Sequence, residues 1–344
     1  MSTKNMFKYL IKVKPLGLMY GSSGAFLSPE NLVGRSRAKF PPDAATLSGL
    51  ILSAKCYNNQ NEDTLANKEF KENLYVAGPF WVAETFPKTL YIPMPWTKII
   101  GGEKKDRDEW IIKDDKWCRN EDNREEKQEI KPDYNWLKIN DWNRPVKNIV
   151  SNESMAKNPW EFVPMLHPHM KDDERHGREE NGLFLENAVQ IPEDISLIYL
   201  STYSLESGWY KFGGENHVVE INSIKISKDD LIIKLLNKQI KKSFALITPA
   251  VWGSNRLSFR TPQTSDFPKI KLMLTDKAIP YRHRTQGRLS RGRYAVPAGS
   301  VYVLEEPLDK SWWEWPEEWF PNEGISLKKI GSGLCLPLDI KGVA

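Results

Sequence analysis

The stretch Phe7-Lys8-Tyr9-Leu10-Ile11-Lys12-Val13-Lys14 sets the first element. Phe7, Tyr9, Ile11 and Val13 fall on one side of an extended chain and the lysines on the other, the period-two pattern of a half-buried strand. Pro15 and Gly17 end it. A Gly/Ser-rich loop, Gly21-Ser22-Ser23-Gly24, and a basic group, Arg35, Arg37 and Lys39, lead to Pro41-Pro42-Asp43. That is a helix entry with Asp43 near the cap, and Ala44, Leu47, Leu50 and Ile51 then share one helical face. Strand, basic loop and helix in that order open a ferredoxin-like unit.

Outward from this start, strand signals return at Ile195-Ser196-Leu197-Ile198-Tyr199-Leu200 and at His217-Val218-Val219-Glu220-Ile221. Shorter ones lie at 270–274, 300–304 and 334–338. A helix is expected over 228–241, where Leu231, Leu235 and Leu236 sit among lysines. Short strands with few helices predict an α+β fold rather than a doubly wound sheet. Pro79, Pro87, Pro93 and Pro95 break up the apolar pieces between about 58 and 187. The mixed-charge block 101–133 has little periodicity and reads as an insertion or loop.

The chain has 344 residues, 40% hydrophobic and 27% charged, which gives a real core and two domains as the first expectation. No apolar run approaches the roughly 20 residues of a membrane span. Nothing at the N-terminus resembles a signal peptide, so a cytoplasmic protein is expected. Three cysteines, Cys56, Cys118 and Cys335, lie far apart and predict neither a disulfide framework nor a zinc knuckle. A net charge of +4 is a weak sign of a polyanionic partner, and its distribution says more.

Tyr281 to Arg293 carries Arg282, Arg284, Arg288, Arg291 and Arg293 with no acid. Guanidinium groups contact phosphates bidentately and stack on unpaired bases; the plainer reading is a solvated loop. Lys211-Phe212-Gly213-Gly214-Glu215-Asn216-His217 lies between two strand candidates. Paired glycines let a phosphate approach backbone amides, with Lys211 and His217 as further donors; a hairpin turn explains the same residues. Ile330-Gly331-Ser332-Gly333-Leu334 is a second glycine loop, better read as loop geometry. Trp312, Trp313, Trp315, Trp319 and Phe320 sit among Glu314, Glu317, Glu318 and Glu323, which favours core packing or a protein interface over base stacking. His167-Pro168-His169, with His176 beyond, lacks partners at a metal-binding spacing, and no metal or cofactor is expected. No GxSxG or HExxH signature occurs. His217 as a general acid–base toward an RNA 2′-hydroxyl is the one catalytic option.

These pieces resemble, in order, the RAMP superfamily of CRISPR effector proteins, and most closely the Cmr subunit three family of type III-B complexes. Phe40-Pro41-Pro42-Asp43-Ala44-Ala45-Thr46-Leu47-Ser48-Gly49 is similar to that family's proline-led first helix. Glu180-Asn181-Gly182-Leu183-Phe184 resembles the entry to its mid-chain hairpin, and Phe212-Gly213-Gly214-Glu215 its glycine-rich loop. Val296-Pro297-Ala298-Gly299-Ser300-Val301-Tyr302 resembles its late strand signature and Gly331-Ser332-Gly333-Leu334 its terminal loop. Where relatives often carry an arginine after the GGE, this chain has Asn216 and His217.

The resemblance implies two ferredoxin-like domains, 1–192 with an insertion at about 58–187 and 193–344, and a non-catalytic role. It implies a subunit that grips the 5′ handle of a crRNA, caps the foot of an antiviral effector complex, and contacts the large polymerase/HD-type subunit and a backbone RAMP subunit. Arg35, Arg37, Lys39, Lys211, Gly213, Gly214, His217, Arg282, Arg284, Arg288, Arg291 and Arg293 are the expected RNA-binding residues. The alternatives are a metal-independent crRNA-processing endoribonuclease using His217, and a protein–protein adaptor using the Trp-rich segment.

Overall fold

The computed structural model describes residues 7–20, 40–57, 65–103, 106–120, 130–168, 176, 183–254, 257–285 and 288–343. The first part of the chain holds β1 (Tyr9–Pro15), β2 (Met19–Tyr20), α1 (Ala44–Tyr57), α2 (Leu65–Asn73), β3 (Val76–Ala83), β4 (Tyr91–Pro93), β5 (Lys98–Ile100), β6 (Arg107–Lys113) and β7 (Lys116–Arg119). It continues with β8 (Trp136–Lys138), α3 (Val146–Ser151), β9 (Met155–Ala156), β10 (Glu161–Pro168), β11 (Leu183–Gln190), β12 (Ile195–Ser201), β13 (Gly208–Phe212) and β14 (His217–Lys225). The remainder holds α4 (Leu231–Asn237), β15 (Ser243–Leu246), β16 (Trp252–Gly253), β17 (Ser258–Phe259), β18 (Ile270–Leu274), β19 (Ile279–Tyr281), β20 (Arg284–Thr285), β21 (Arg288–Leu289), β22 (Arg293–Ala295), β23 (Val301–Leu304) and β24 (Cys335–Pro337).

Eight strands make the first sheet, in the order β13-β14-β1-β12-β3-β4-β8-β9. Within it β14-β1-β12-β3 is the fourth-first-third-second order of a ferredoxin-like unit, antiparallel throughout, with α1 and α2 crossing from β1 to β3. β15, β18, β23 and β24 repeat that order as β24-β15-β23-β18 in a second sheet. The fold is α+β, and both sheets carry the same topology.

Several expectations change in detail. β1 is buried on both faces: Ile11 and Val13 pack toward α1, while Leu10 joins the core shared with the second unit. Lys12 is accommodated there by an ion pair with Glu84. The expected boundary at 192 passes through the first sheet, because β12, β13 and β14 carry residues 195–225 into it beside β1. The span 58–187 is only partly an insertion, since it supplies α2 and the sheet strands β3, β4, β8 and β9. What stands apart from the sheet order there is the β10–β11 hairpin and the charged block. Within that block 107–119 forms an antiparallel hairpin of β6 and β7, turning on Asp114 and Asp115, both at positive φ. Its charges pair across strands: Lys98 with Glu109, and Arg119 placed 4.8 Å over the Trp110 ring. The helix expected over 228–241 stops at Asn237, and Ile240 instead bridges Lys310 in extended pairing.

One apolar core joins the units. Leu10, Ala77, Phe80, Ile198 and Leu200 from the first sheet share it with Phe244, Tyr302, Trp312 and Trp315. The Trp-rich segment is therefore inside: Trp312, Trp315 and Trp319 are buried. Lys328, also buried, donates to the carbonyls of Trp313 (2.9 Å) and Trp315 and sits 5.3 Å over the Trp312 ring. Among the described residues no helix is long and apolar enough to cross a membrane.

Burial pulls Lys328 from its ordinary 10.5 down to about 8, against the raising fields of Glu317 and Glu318. Between those values the unfolded chain keeps a proton that the folded chain has released, so this group adds stability as pH rises through about 8. The stability difference between wild type and Lys328→Met is expected to move in favour of wild type by about 1–2 kcal/mol from pH 8 to 9.5 in urea denaturation. A difference independent of pH would contradict the burial of the ammonium group.

Candidate nucleic-acid interface

The first turn of α1 is fixed from below. Tyr199, buried in β12, donates its hydroxyl to the Pro42 carbonyl at 2.6 Å, and the Thr46 amide donates to Asp43 O at 2.9 Å. Burial, then the charge of Asp43, pushes the Tyr199 hydroxyl far above its ordinary value, so it stays a donor. Ala44, Leu47 and Ile51, one helical face, bury against the sheet as the spacing predicts.

Against this turn lies the glycine motif. Residues 213–216 form the turn between β13 and β14, with Phe212 opposite His217. The turn needs φ of +78° at Gly213, and a β-carbon there would come within 4.0 Å of Thr46. Gly214 is exposed, with no described residue within 4 Å of a β-carbon position. The motif is thus a hairpin turn that also sets an open backbone beside the start of α1. Lys211 is exposed on β13.

His217 has a different place from the one expected. Its Nε2 accepts the Tyr20 amide at 2.9 Å, and its ring stacks on Tyr20 with centroids 5.8 Å apart. The imidazole therefore ties β2 to the glycine turn through the Tyr20 backbone. The basic residues Arg35, Arg37 and Lys39 lie outside the described residues. The chain leaves for them at Tyr20, beside His217, and returns at Phe40, which packs edge-on against Trp160 at 5.1 Å.

The arginine run forms a hairpin, β19 with β22 and β20 with β21. Its base packs on the same helix start: Tyr281, Ala295 and Ile279 cluster with Ala45 of α1, and the field of Asp43 reaches the buried Tyr281 hydroxyl. Arg284 and Arg291 are exposed, and Arg282 is half-buried with Nε donating to Ser290 O at 2.8 Å. The Arg288 side chain lies outside the described residues. Arg293 is a correction. It is 4% exposed, its Nε donates to Glu323 at 2.7 Å, and it reaches the Ser254 carbonyl, so it holds the hairpin base and offers no charge to a ligand. Glu323, from the acidic Trp-rich segment, is the carboxylate that neutralises it.

Gly331 and Gly333 sit against Ala77 and Trp252 and make packing contacts, as a loop reading expects. His167 pairs with Glu186 at 3.8 Å, His176 is exposed, and His169 lies outside the described residues. Among the described residues no group of three or more His, Cys, Asp or Glu side chains is placed to hold a metal. An open cavity of about 280 Å³ lined by Trp142, Arg144, Leu231 and Leu235 shares no residue with the surface around α1. Tyr294, interleaved with the arginine run, is exposed, and a second exposed ring that the motifs do not include, Trp209, lies two residues before Lys211; its alternation with Lys211 is the available signal.

No protein-family model and no curated protein matches the chain. Among solved structures it is similar to a chain of the type III-B Cmr-beta complex bound to cognate target RNA, with 11% identity, TM-score 0.49 and 86% of each chain covered. It is also similar to a chain of the Csm3–Csm4 subcomplex of the type III-A CRISPR-Cas interference complex, with 11% identity, TM-score 0.45, and 96% of this chain and 99% of that one covered. A chain of the Csm1–Csm4 cassette in complex with pppApA gives 12% identity, TM-score 0.36 and 88% coverage of each.

Removing one partner of a buried ion pair leaves the other charge uncompensated, at a cost of about 3–5 kcal/mol. Arg293→Ala and Glu323→Ala are each expected to lower stability by that order in chemical denaturation, whereas Arg284→Ala changes it by less than about 0.5 kcal/mol. Equal, small effects of all three would contradict the assignment of Arg293 to the fold.

Proposed function

We propose that this chain is a non-catalytic, RNA-binding structural subunit of a type III CRISPR ribonucleoprotein, holding the 5′ handle of a crRNA beside a large polymerase/HD-type subunit and a backbone RAMP subunit. One observation carries the reading: two segments far apart in sequence meet at the first turn of α1, and the ends of a third lie next to them. They are the glycine turn at 213–216, the arginine hairpin at 279–295, and the two ends of the basic loop at Tyr20 and Phe40. These are the segments, with the proline-led helix, that carry the resemblance to the Cmr subunit three family or its expected RNA contacts.

Chemically, the arrangement suits an extended polyanion. Exposed guanidinium groups on one side and an unobstructed glycine backbone on the other can take successive phosphates, leaving bases splayed. Asp43 at the helix start disfavours a phosphate directly on the helix N-terminus and directs it to the flanking cations. The engagement of His217 by Tyr20 supports a positioning role for that residue and a subunit that binds without cleaving. Burial of Trp312, Trp315 and Trp319 supports a core role over an adaptor surface for that segment.

The test is binding of handle-bearing repeat RNA to the full chain. Combined replacement of Arg282, Arg284 and Arg291 by Ala should weaken binding at least tenfold and flatten its salt dependence by about 0.7 per lost phosphate contact. Incubation of wild type with the same RNA and EDTA should leave it intact. Unchanged affinity and slope would overturn the binding surface, and cleavage lost in His217→Ala would establish the endoribonuclease instead.

A further inference from the structure

Among the described residues β13 is the edge of the first sheet and pairs with β14. Its alternation turns Tyr210 and Phe212 toward the α1 core and sends Trp209 and Lys211 to the opposite face. Cross-strand register extends that face: Val218 stands opposite Lys211, Glu220 opposite Trp209, and on β1 Lys14 stands opposite Glu220 and Lys12 opposite Asn222. Leu16 continues the row, its amide donating to Val218 O. Trp209 is 74% exposed, more than any other large apolar side chain among the described residues, and Val218 and Leu16 on the same face are 48% exposed.

The charges around the indole are arranged unevenly. Lys12 is committed to Glu84, and Glu220 accepts a hydrogen bond from Asn222 at 3.0 Å. Lys211 makes no ion pair among the described residues, and Lys14 lies in the field of Glu84 without a hydrogen bond to it. An exposed indole flanked by lysines on an open sheet face matches what an unpaired nucleotide needs: a flat apolar surface for the base and cations for the phosphates on either side. The face also runs on from the candidate interface, because Lys211 precedes Gly213 by two residues and the exposed Gly214 turn is the passage between them.

We infer that Trp209 is a stacking platform for an unpaired base of single-stranded RNA, with Lys211 and Lys14 contacting the phosphates beside it. The inference rests on the RNA-binding reading above, extending the track from α1 over the glycine turn and round the sheet edge. A protein partner would use the same indole as an apolar anchor, and the test separates the two.

Binding of a fluorescein-labelled oligouridylate to the full-length chain is measured by anisotropy over a range of salt. Trp209→Ala should weaken binding about 5- to 100-fold with an unchanged salt slope, and Trp209→Phe should restore it to within about threefold. Lys211→Ala should lower the slope by about 0.7. Melting temperature reports that each variant is folded. If Trp209→Ala binds as wild type while Arg284→Ala and Arg291→Ala weaken binding, the platform is overturned, the indole is left to a protein partner, and the RNA-binding reading stands. If none of these variants alters binding, both fail. A loss that phenylalanine does not restore also overturns the platform, since stacking tolerates the change of ring.

Discussion

Phe7 and Tyr75 of the first unit meet Trp312 and Trp313 of the second, with ring centroids 4.6 Å apart for Phe7 and Trp313 and 5.7 Å for Tyr75 and Trp313. Tyr75 also donates to Glu317 at 2.6 Å, and Gly331 comes so close to Ala77 that a β-carbon would lie 2.6 Å from it. This seam covers the part of the first sheet's other face that carries Leu10, Ala77, Phe80, Ile198 and Leu200 and leaves the β13–β14 edge open. Each large aromatic buried there contributes a few kcal/mol, more than any surface ion pair provides. Because the seam is dense and apolar, it fixes the second sheet against the first, and through Tyr281 and Ala295 it fixes the arginine hairpin against α1. The candidate interface is assembled by this packing; its own residues supply charge and open backbone.

The same packing decides which charges are available. A guanidinium brought into the interior needs a carboxylate, and Arg293 finds Glu323; two residues earlier, Arg291 is on the surface. Five arginines in one run are thus not five equivalent contacts. The acidic character of the Trp-rich segment, which argues against RNA when read in sequence, has an internal use: Glu323 neutralises Arg293, and Glu317 holds Tyr75. Lys328 plays the reverse part, its ammonium held by tryptophan carbonyls and rings.

Local patterns were legible where they depend on neighbours in sequence. The strands β1, β12 and β14, the spacing of Ala44, Leu47 and Ile51, and the glycine turn all appear where the residues indicate. What was hidden depends on distant partners. β3 reads VAGPFWVA and carries Pro79, which argues against a central strand; the sheet absorbs it at Gly78, φ +135°, where the pairing with β12 shifts register. The hairpin of β6 and β7 is obscured in sequence because its strands are charged, and their pairing becomes visible only once Arg119 faces Trp110 across the ladder. The boundary at 192 was misplaced because a hydrophobic strand gives no sign of which sheet it joins. In the candidate site, the residue types were readable and their convergence on α1 was not. Arg293 and His217 differ from their neighbours only through Glu323 and Tyr20.

The central claim is that the start of α1, the glycine turn and the arginine hairpin form one surface for single-stranded RNA. Hydrogen–deuterium exchange of the full chain with and without handle-bearing RNA tests it most directly. Protection should appear together at residues 43–46, 213–216 and 282–291, with the core strands β12 and β23 unchanged. Protection that omits two of these three segments, or that falls instead on the β6–β7 hairpin, would contradict it.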